Sequence, residues 1–233
     1  MRLSRVTLEK QGKLAILQGM IHIGPDSLYE SLQKDIDWAV GNNYQVFFEG
    51  TKKNPSEKTS TDNESRIEKL FLLLFDLYPI FGGVLGISLQ QDKIAYPKDA
   101  INADITFGEL IRRLDENGFS CNLLFSLFTL LSKEDLEKVM KEDFAKRDLD
   151  TLMNDSGRGF LGKFLGWFFF RKAYPILLDY RNEVAIDKVK KHSNGQNAFI
   201  HYGEKHINGL TDLLKNDGWV VKETTYLNLA EFH

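Results

Sequence analysis

The stretch KLAILQGMIHIGPDSLYESLQKDIDWAVGNNYQVFFE, residues 13–49, decides the fold class. Its first six residues, KLAILQ (13–18), are β-prone, and they run into GMIHIGPDS with a glycine at each end of a short turn. LYESLQKDIDWAV then sets Leu28, Leu32, Ile36 and Ala39 on one helical face. Asp26 or Ser27 is the expected N-cap, with Ser27 and Glu30 at capping-box spacing. Gly41-Asn42-Asn43 stops the helix, and YQVFFE (44–49) is apolar enough to be buried on both faces, as a central parallel strand is. The stretch therefore reads as a β-α-β unit.

Upstream, LSRVTL (3–8) is a second β-prone run separated from 13–18 by Gln-Gly, which predicts a strand pair. Downstream, residues 50–65 carry almost no apolar side chain and read as an exposed loop that starts directly after Glu49. Helices are expected over 66–82, 106–117 with Thr106 and Glu109 at capping-box spacing, 121–131, 133–147 opened by Ser132, and within 158–192. Residues 86–105 between them read as extended and irregular. The chain then returns to a strand, AFIHYG (198–203), a helix ending at Gly218, and a final strand pair or long strand within 219–232. The expectation is one α/β domain over 1–233. Its mixed central sheet comes from two β-α-β halves, 1–65 and 193–233, and a mostly helical insert, 66–192, lies between them.

Composition narrows the function classes. With 233 residues, 42% of them hydrophobic, the chain can fill a real core. A net charge of −3 and an isoelectric point near 6.0 provide no basic field for nucleic acid. One cysteine, Cys121, sits in an apolar run and reads as a buried small hydrophobe. The N-terminal residues lack the pattern of a signal peptide, so the expected location is the cytoplasm. Two apolar runs fail as membrane spans: 70–86 is interrupted by Asp76, Pro79 and a glycine pair, and 160–178 carries Lys163, Arg171 and Lys172. The oligomeric state is not legible.

Gly-x-x-His occurs twice, at Gly19–His22 and Gly203–His206, each time where an expected strand gives way to a helix. Ligands of open α/β sheets bind outside the carboxyl ends of the strands, where both histidines would lie. Glycine there allows close backbone approach. Taken singly, either histidine is more commonly a hydrogen-bonded core residue. Glu49 ends the buried strand and reaches the same sheet edge as His22 if the two strands are parallel neighbours. A carboxylate beside imidazoles can bind a divalent ion or act on a water, or it can simply face solvent. Arg181 could hold an anionic group bidentately; pairing with Glu183 or Asp187 on its own helix is the plainer alternative.

GMIHIGPDSLYESLQKDIDWAVGNNYQVFFEG (19–50) resembles the opening of the TraB/PrgY/GumN/TIKI family, in which Gly-x-x-His precedes a helix and a strand ending in Glu. YGEKHINGLTDLLKNDGWVV (202–221) resembles that family's closing Gly-x-x-His, and DYRNEVAIDKV (179–189) its Arg-Asn helix. Residues 89–110 resemble the ChaN and erythromycin-esterase-like relatives, where an extended segment ends in Ala-Asp. The resemblance implies His22, Glu49, Arg181 and His206 as site residues, with His22, Glu49 and His206 as metal ligands. It also implies Asp104; Gly19, Gly203 and Glu204, at or beside the two turns, are further expected binding positions. Asp104 has a rival reading as a charge near the start of the helix after Thr106. The implied activities diverge: a manganese, zinc or cobalt-dependent hydrolase of peptides or small molecules, a haem- or other ligand-binding protein, or a regulator that limits a peptide pheromone. Loop 50–65 is expected to close over the site when ligand binds. Arg181 is expected to point between the two histidine turns, and to matter for ligand binding more than for stability.

Two other features of the sequence point to no site. Gly157–Phe164 has the glycine and lysine spacing of a phosphate-binding loop, but Phe164 stands where the magnesium-binding hydroxyl belongs and no buried strand precedes it. Trp167-Phe168-Phe169-Phe170 could wall a pocket, although helical spacing makes it core.

Overall fold

The computed structural model describes residues 2–54, 56–120, 138, 173–193 and 195–232. Cys121, the helix expected at 121–131, all but residue 138 of the helix expected at 133–147, the glycine-rich 157–164 and the aromatic 167–170 lie outside the described residues. Contacts divide the chain into two compact units, Met1–Thr51 with Gln90–Ile105 and Leu177–His233, and Lys52–Leu89 with Thr106–Ile176. Six α-helices and one six-stranded mixed sheet are present among the described residues, so the fold is α/β.

The first unit is built on the sheet. Its strands are β1 (Arg2–Lys10), β2 (Lys13–Met20), β3 (Gln45–Phe48), β4 (Ile101–Asn102), β5 (Ala198–Gly203) and β6 (Val220–Asn228), in the order β4-β3-β5-β2-β1-β6. β2, β3, β4 and β5 run parallel, while β1 is antiparallel to both β2 and β6. The expected hairpin of β1 and β2 turns at Gln11 and Gly12, both at positive φ. β5 inserts between β2 and β3, with Gln18 opposite His201 and Phe48 opposite the same residue on the other side. Sequence alone makes β2 and β3 candidate neighbours; each pairs with β5 instead. The two-residue β4 and the single-turn helix α3 (Gln90–Lys93) lie inside the segment expected to be irregular.

Alternation along the strands sends the sheet's side chains into two cores. On one face Leu17, Phe47, Ile200 and Tyr202 pack with residues of α5 (Arg181–His192) and α6 (Glu204–Asn216). On the other, Ile16, Val46 and Phe199 meet Leu28, Leu32, Ile36 and Ala39 of α1 (Asp26–Gly41), the helical face read from the sequence. The N-cap of α1 is Pro25, without a side-chain cap, so neither Asp26 nor Ser27 performs that role. A π-helical turn, Pro175–Tyr180, leads directly into Arg181 at the start of α5.

The second unit contains α2 (Asp62–Leu85) and α4 (Phe107–Glu116). α2 starts inside the segment expected to be loop because Thr61 and Glu64 form a reciprocal capping box, and it continues through Pro79 to a left-handed C-cap at Gly86. Thr106 caps α4 by accepting from the Glu109 amide, and its hydroxyl donates to Glu57 at 2.9 Å, which ties residues 52–61 to that helix start. Phe71 and Phe75 pack on Phe107. No helix is long and apolar enough to cross a membrane among the described residues.

Candidate functional site

The carboxyl ends of the parallel strands bring together residues far apart in the chain, all within the first unit. Glu49 follows β3 and is fixed twice by β5: its N–H donates to the His201 carbonyl at 3.1 Å, and the Gly203 N–H donates to its Oε2 at 2.6 Å. Glycine at 203 leaves room for that carboxylate, because a Cβ would stand 2.8 Å from the same Oε2 and push it aside. The other oxygen, Oε1, accepts from Arg181 Nη2 at 2.5 Å. Arg181 also grips Asp104 through Nε at 2.9 Å and Nη2 at 2.7 Å, and its Nη1 donates to the Leu177 carbonyl in the π-helical turn at 3.2 Å. Asp104, fully buried at its side chain, further accepts from the N–H groups of Gly50 and Ile105.

Arg181 thus faces inward to Glu49 and Asp104. Its side chain is 11% exposed, and with four hydrogen bonds inside the protein it is a structural tie as well as a site residue. Burial alone would raise the Glu49 pKa, but the Arg181 guanidinium, the two neighbouring imidazoles and the Gly203 amide outweigh it and hold the carboxyl at about 2.

Both motif histidines face Glu49. His206 opens α6 immediately after β5, is 4% exposed, and places Nε2 3.6 Å from Glu49 Oε1. Its Nδ1 lies 2.7 Å from Asn182 Oδ1, and Tyr202 packs edge-on against its ring. An amide oxygen only accepts, so Nδ1 carries the proton and Nε2 presents its lone pair. Burial lowers the His206 pKa to about 4 although Glu49 pulls it upward, which keeps the ring neutral. His22 lies beyond β2 with half its side chain exposed, its Nε2 4.0 Å from the same Glu49 Oε1 and its Nδ1 3.0 Å from Gln90 Oε1.

Donors that share one ion at about 2.1 Å stand roughly 3–4 Å apart, so both imidazole–carboxylate separations suit a common cation. The donor set suits one too, since each imidazole has its Nδ1 on an amide oxygen, the arrangement that orients ligating histidines. As it stands the trio is not closed: among the described residues no group of three or more His, Cys, Asp or Glu could hold a metal ion.

The remaining expected positions lie outside this convergence. Glu204 turns away to accept from the Ser4 N–H and hydroxyl at 2.7 and 2.6 Å. Gly19 lies under that carboxylate, where a Cβ would collide with Glu204 Oε2. Residues that sequence reasoning does not single out are Gln90, Tyr96, Asn182, His201 and Tyr202. Asn182 alone has a signal, as the second residue of the Arg-Asn pair. No protein-family model, curated protein or solved structure matches the chain.

Proposed function

We propose that the first unit carries a divalent-cation site of the TraB/GumN/TIKI kind, and that the protein is a metal-dependent hydrolase acting on a peptide or a small ester-like substrate. One observation carries the reading: the Nε2 atoms of His206 and His22 lie 3.6 and 4.0 Å from the same carboxylate oxygen, in a polar cluster at the strand ends. The charges agree with it. Glu49 and Asp104 against Arg181, with His206 neutral, leave that group one negative charge in excess.

On this reading His22, His206 and Glu49 hold manganese, zinc or cobalt, and positions not taken by protein remain for water and substrate. The cation supplies Lewis acidity toward a water and a scissile carbonyl. Glu49, with a pKa of about 2, is too weak a base to take a proton at neutral pH, so its part is charge and ligation. Arg181 keeps Glu49 ionised and aimed. Asn182 keeps His206 in the tautomer whose Nε2 can ligate.

Equilibrium dialysis of chelator-stripped protein against manganese, zinc and cobalt tests the proposal. The expected result is one ion per chain, lost in Glu49→Gln and in His206→Gln. Failure of all three metals to bind overturns it, and a Soret band in the purified protein moves the site to haem binding.

A further inference from the structure

The face of the sheet toward α1 carries a second polar chain, which the hydrolytic reading does not use. Gln90, 8% exposed at the start of α3, grips His22 at two points: its N–H donates to the His22 carbonyl at 2.9 Å, and its side-chain oxygen meets His22 Nδ1 at 3.0 Å. The other end of the same amide donates to the Tyr96 hydroxyl at 3.0 Å. That hydroxyl lies 2.7 Å from His201 Nδ1, in the middle of β5 and fully buried. Tyr96 is clamped by a stack on Phe48, with centroids 4.2 Å apart and planes at 15°.

The donors run in one direction along this chain. Gln90 Oε1 only accepts, so His22 Nδ1 donates to it; Gln90 Nε2 only donates, so the Tyr96 oxygen accepts; the Tyr96 proton then goes to His201 Nδ1. His201 is left with its proton on Nε2, a donor, and its register partner on β2 is Gln18. Among the described residues, His201 Nε2 and Gln18 Oε1 are buried side-chain atoms with no hydrogen-bond partner, and they form a complementary donor and acceptor on neighbouring strands. Glutamine at position 90 fits the polarity, since its amide accepts at one end and donates at the other.

We propose that Gln90, Tyr96 and His201 are positioning residues, a buried hydrogen-bonded strut that holds the His22 imidazole with its Nε2 toward Glu49. The strut explains how a half-exposed histidine keeps one orientation: its ring is tied through a buried amide to the sheet itself. Its consequence for cation affinity rests on the hydrolase reading above, but the strut does not.

The test is long-range proton–nitrogen NMR on histidine-labelled, metal-free protein above the histidine titration range, paired with manganese binding. Wild-type His22 is expected to carry its proton on Nδ1. Gln90→Leu should move it to Nε2 and weaken manganese binding about tenfold to a hundredfold. Gln90→Glu, which still accepts from Nδ1, should restore the tautomer. Tyr96→Phe keeps the stack on Phe48 and so guards against misfolding; it should change both the His22 and the His201 signals. A wild-type His22 protonated on Nε2, or a tautomer that ignores Gln90→Leu, overturns the strut. Should the tautomers behave as expected while no metal binds wild-type protein, the strut stands and the hydrolase reading falls.

Discussion

At the first Gly-x-x-His turn the imidazole of His22 is half exposed and is held by a glutamine brought in from another segment; at the second, His206 is buried beneath Tyr202 and tied to Asn182. The glycines differ as well. Gly203 makes room for the Glu49 carboxylate, whereas Gly19 makes room for Glu204, which braces Ser4 and β1. One motif therefore builds two different surroundings: a buried imidazole in the first turn of α6, and a half-exposed one held by a glutamine from another segment.

The largest expected effect lies around the buried turn. Arg181→Leu removes the counter-charge of Glu49 and Asp104, whose side chains are 4% and 0% exposed. Leaving buried carboxylates unpaired costs about 3–5 kcal/mol, read as a lower urea midpoint. Arg181→Lys keeps the charge but cannot reproduce the planar fork on Asp104 together with the bond to Glu49, so it should cost about half as much. A loss below about 1 kcal/mol in Arg181→Leu would mean that the carboxylates are compensated elsewhere.

Acid should act on the two buried histidines. His206 and His201 both have pKa values lowered to about 4 from an ordinary 6.5, chiefly by burial, so the unfolded chain takes up those protons first. Their contribution to stability is complete above pH 6.5 and is lost as pH falls toward 4; each is worth about 3 kcal/mol at most. Glu49 adds a second decline below pH 4.5, ending near its folded value of about 2. Metal-free protein should approach an uptake of two protons on unfolding in the upper window, and His206→Gln should reduce that to one. An unchanged slope would mean that His206 is not buried neutral.

The glycines separate the turns by function. Gly203→Ala drives a Cβ against a carboxylate clamped by Arg181, so Glu49 must leave the Gly203 amide; the expected loss is about 2 kcal/mol, together with cation binding. Gly19→Ala pushes aside the end of Glu204 and presses on the Ser4 carbonyl 3.1 Å from the new Cβ, loosening the bonds of Glu204 to Ser4 for about 1 kcal/mol and leaving binding intact. Equal effects on binding would erase the distinction.

Much of this was legible because it depends on local periodicity. AFIHYG forms β5 over the full expected length, and the apolar face of α1 is the one read from its spacing. The meeting of His22, Glu49 and His206 follows from the strand-end rule, since all three residues come just after parallel strands. Strand order was not legible: nothing in residues 13–49 reveals that β2 and β3 leave a slot for a strand 150 residues further on. β4 is too short to produce alternation. Gln90 and Tyr96 carry no metal-site signature, and His201 lies in an apolar strand where a satisfied core histidine is the natural reading. Their role exists only through contacts made by folding. In the opposite sense, Ser27 and Glu30 have capping-box spacing without forming one, while Thr61 and Glu64 form one inside a segment whose polarity reads as loop.

The smallest stability effect tests the comparison most directly. His206→Ala removes a buried ring, strips Tyr202 of its edge contact and leaves Asn182 Oδ1 without its donor, for an expected loss of about 1–2 kcal/mol. His22→Ala removes a half-exposed ring whose partner Gln90 keeps its backbone bond to residue 22 and its side-chain bond to Tyr96, so the loss should stay within about 0.5 kcal/mol. Manganese binding should nevertheless fail in both, since each variant deletes one of three proposed donors. Unfolding curves and dialysis on the same samples therefore separate the two properties: binding lost together with stability at the inner turn, and binding lost alone at the outer one. If His22→Ala destabilises as much as His206→Ala, the outer ring is part of the scaffold. The asymmetry between the turns would then be one of exposure and not of role.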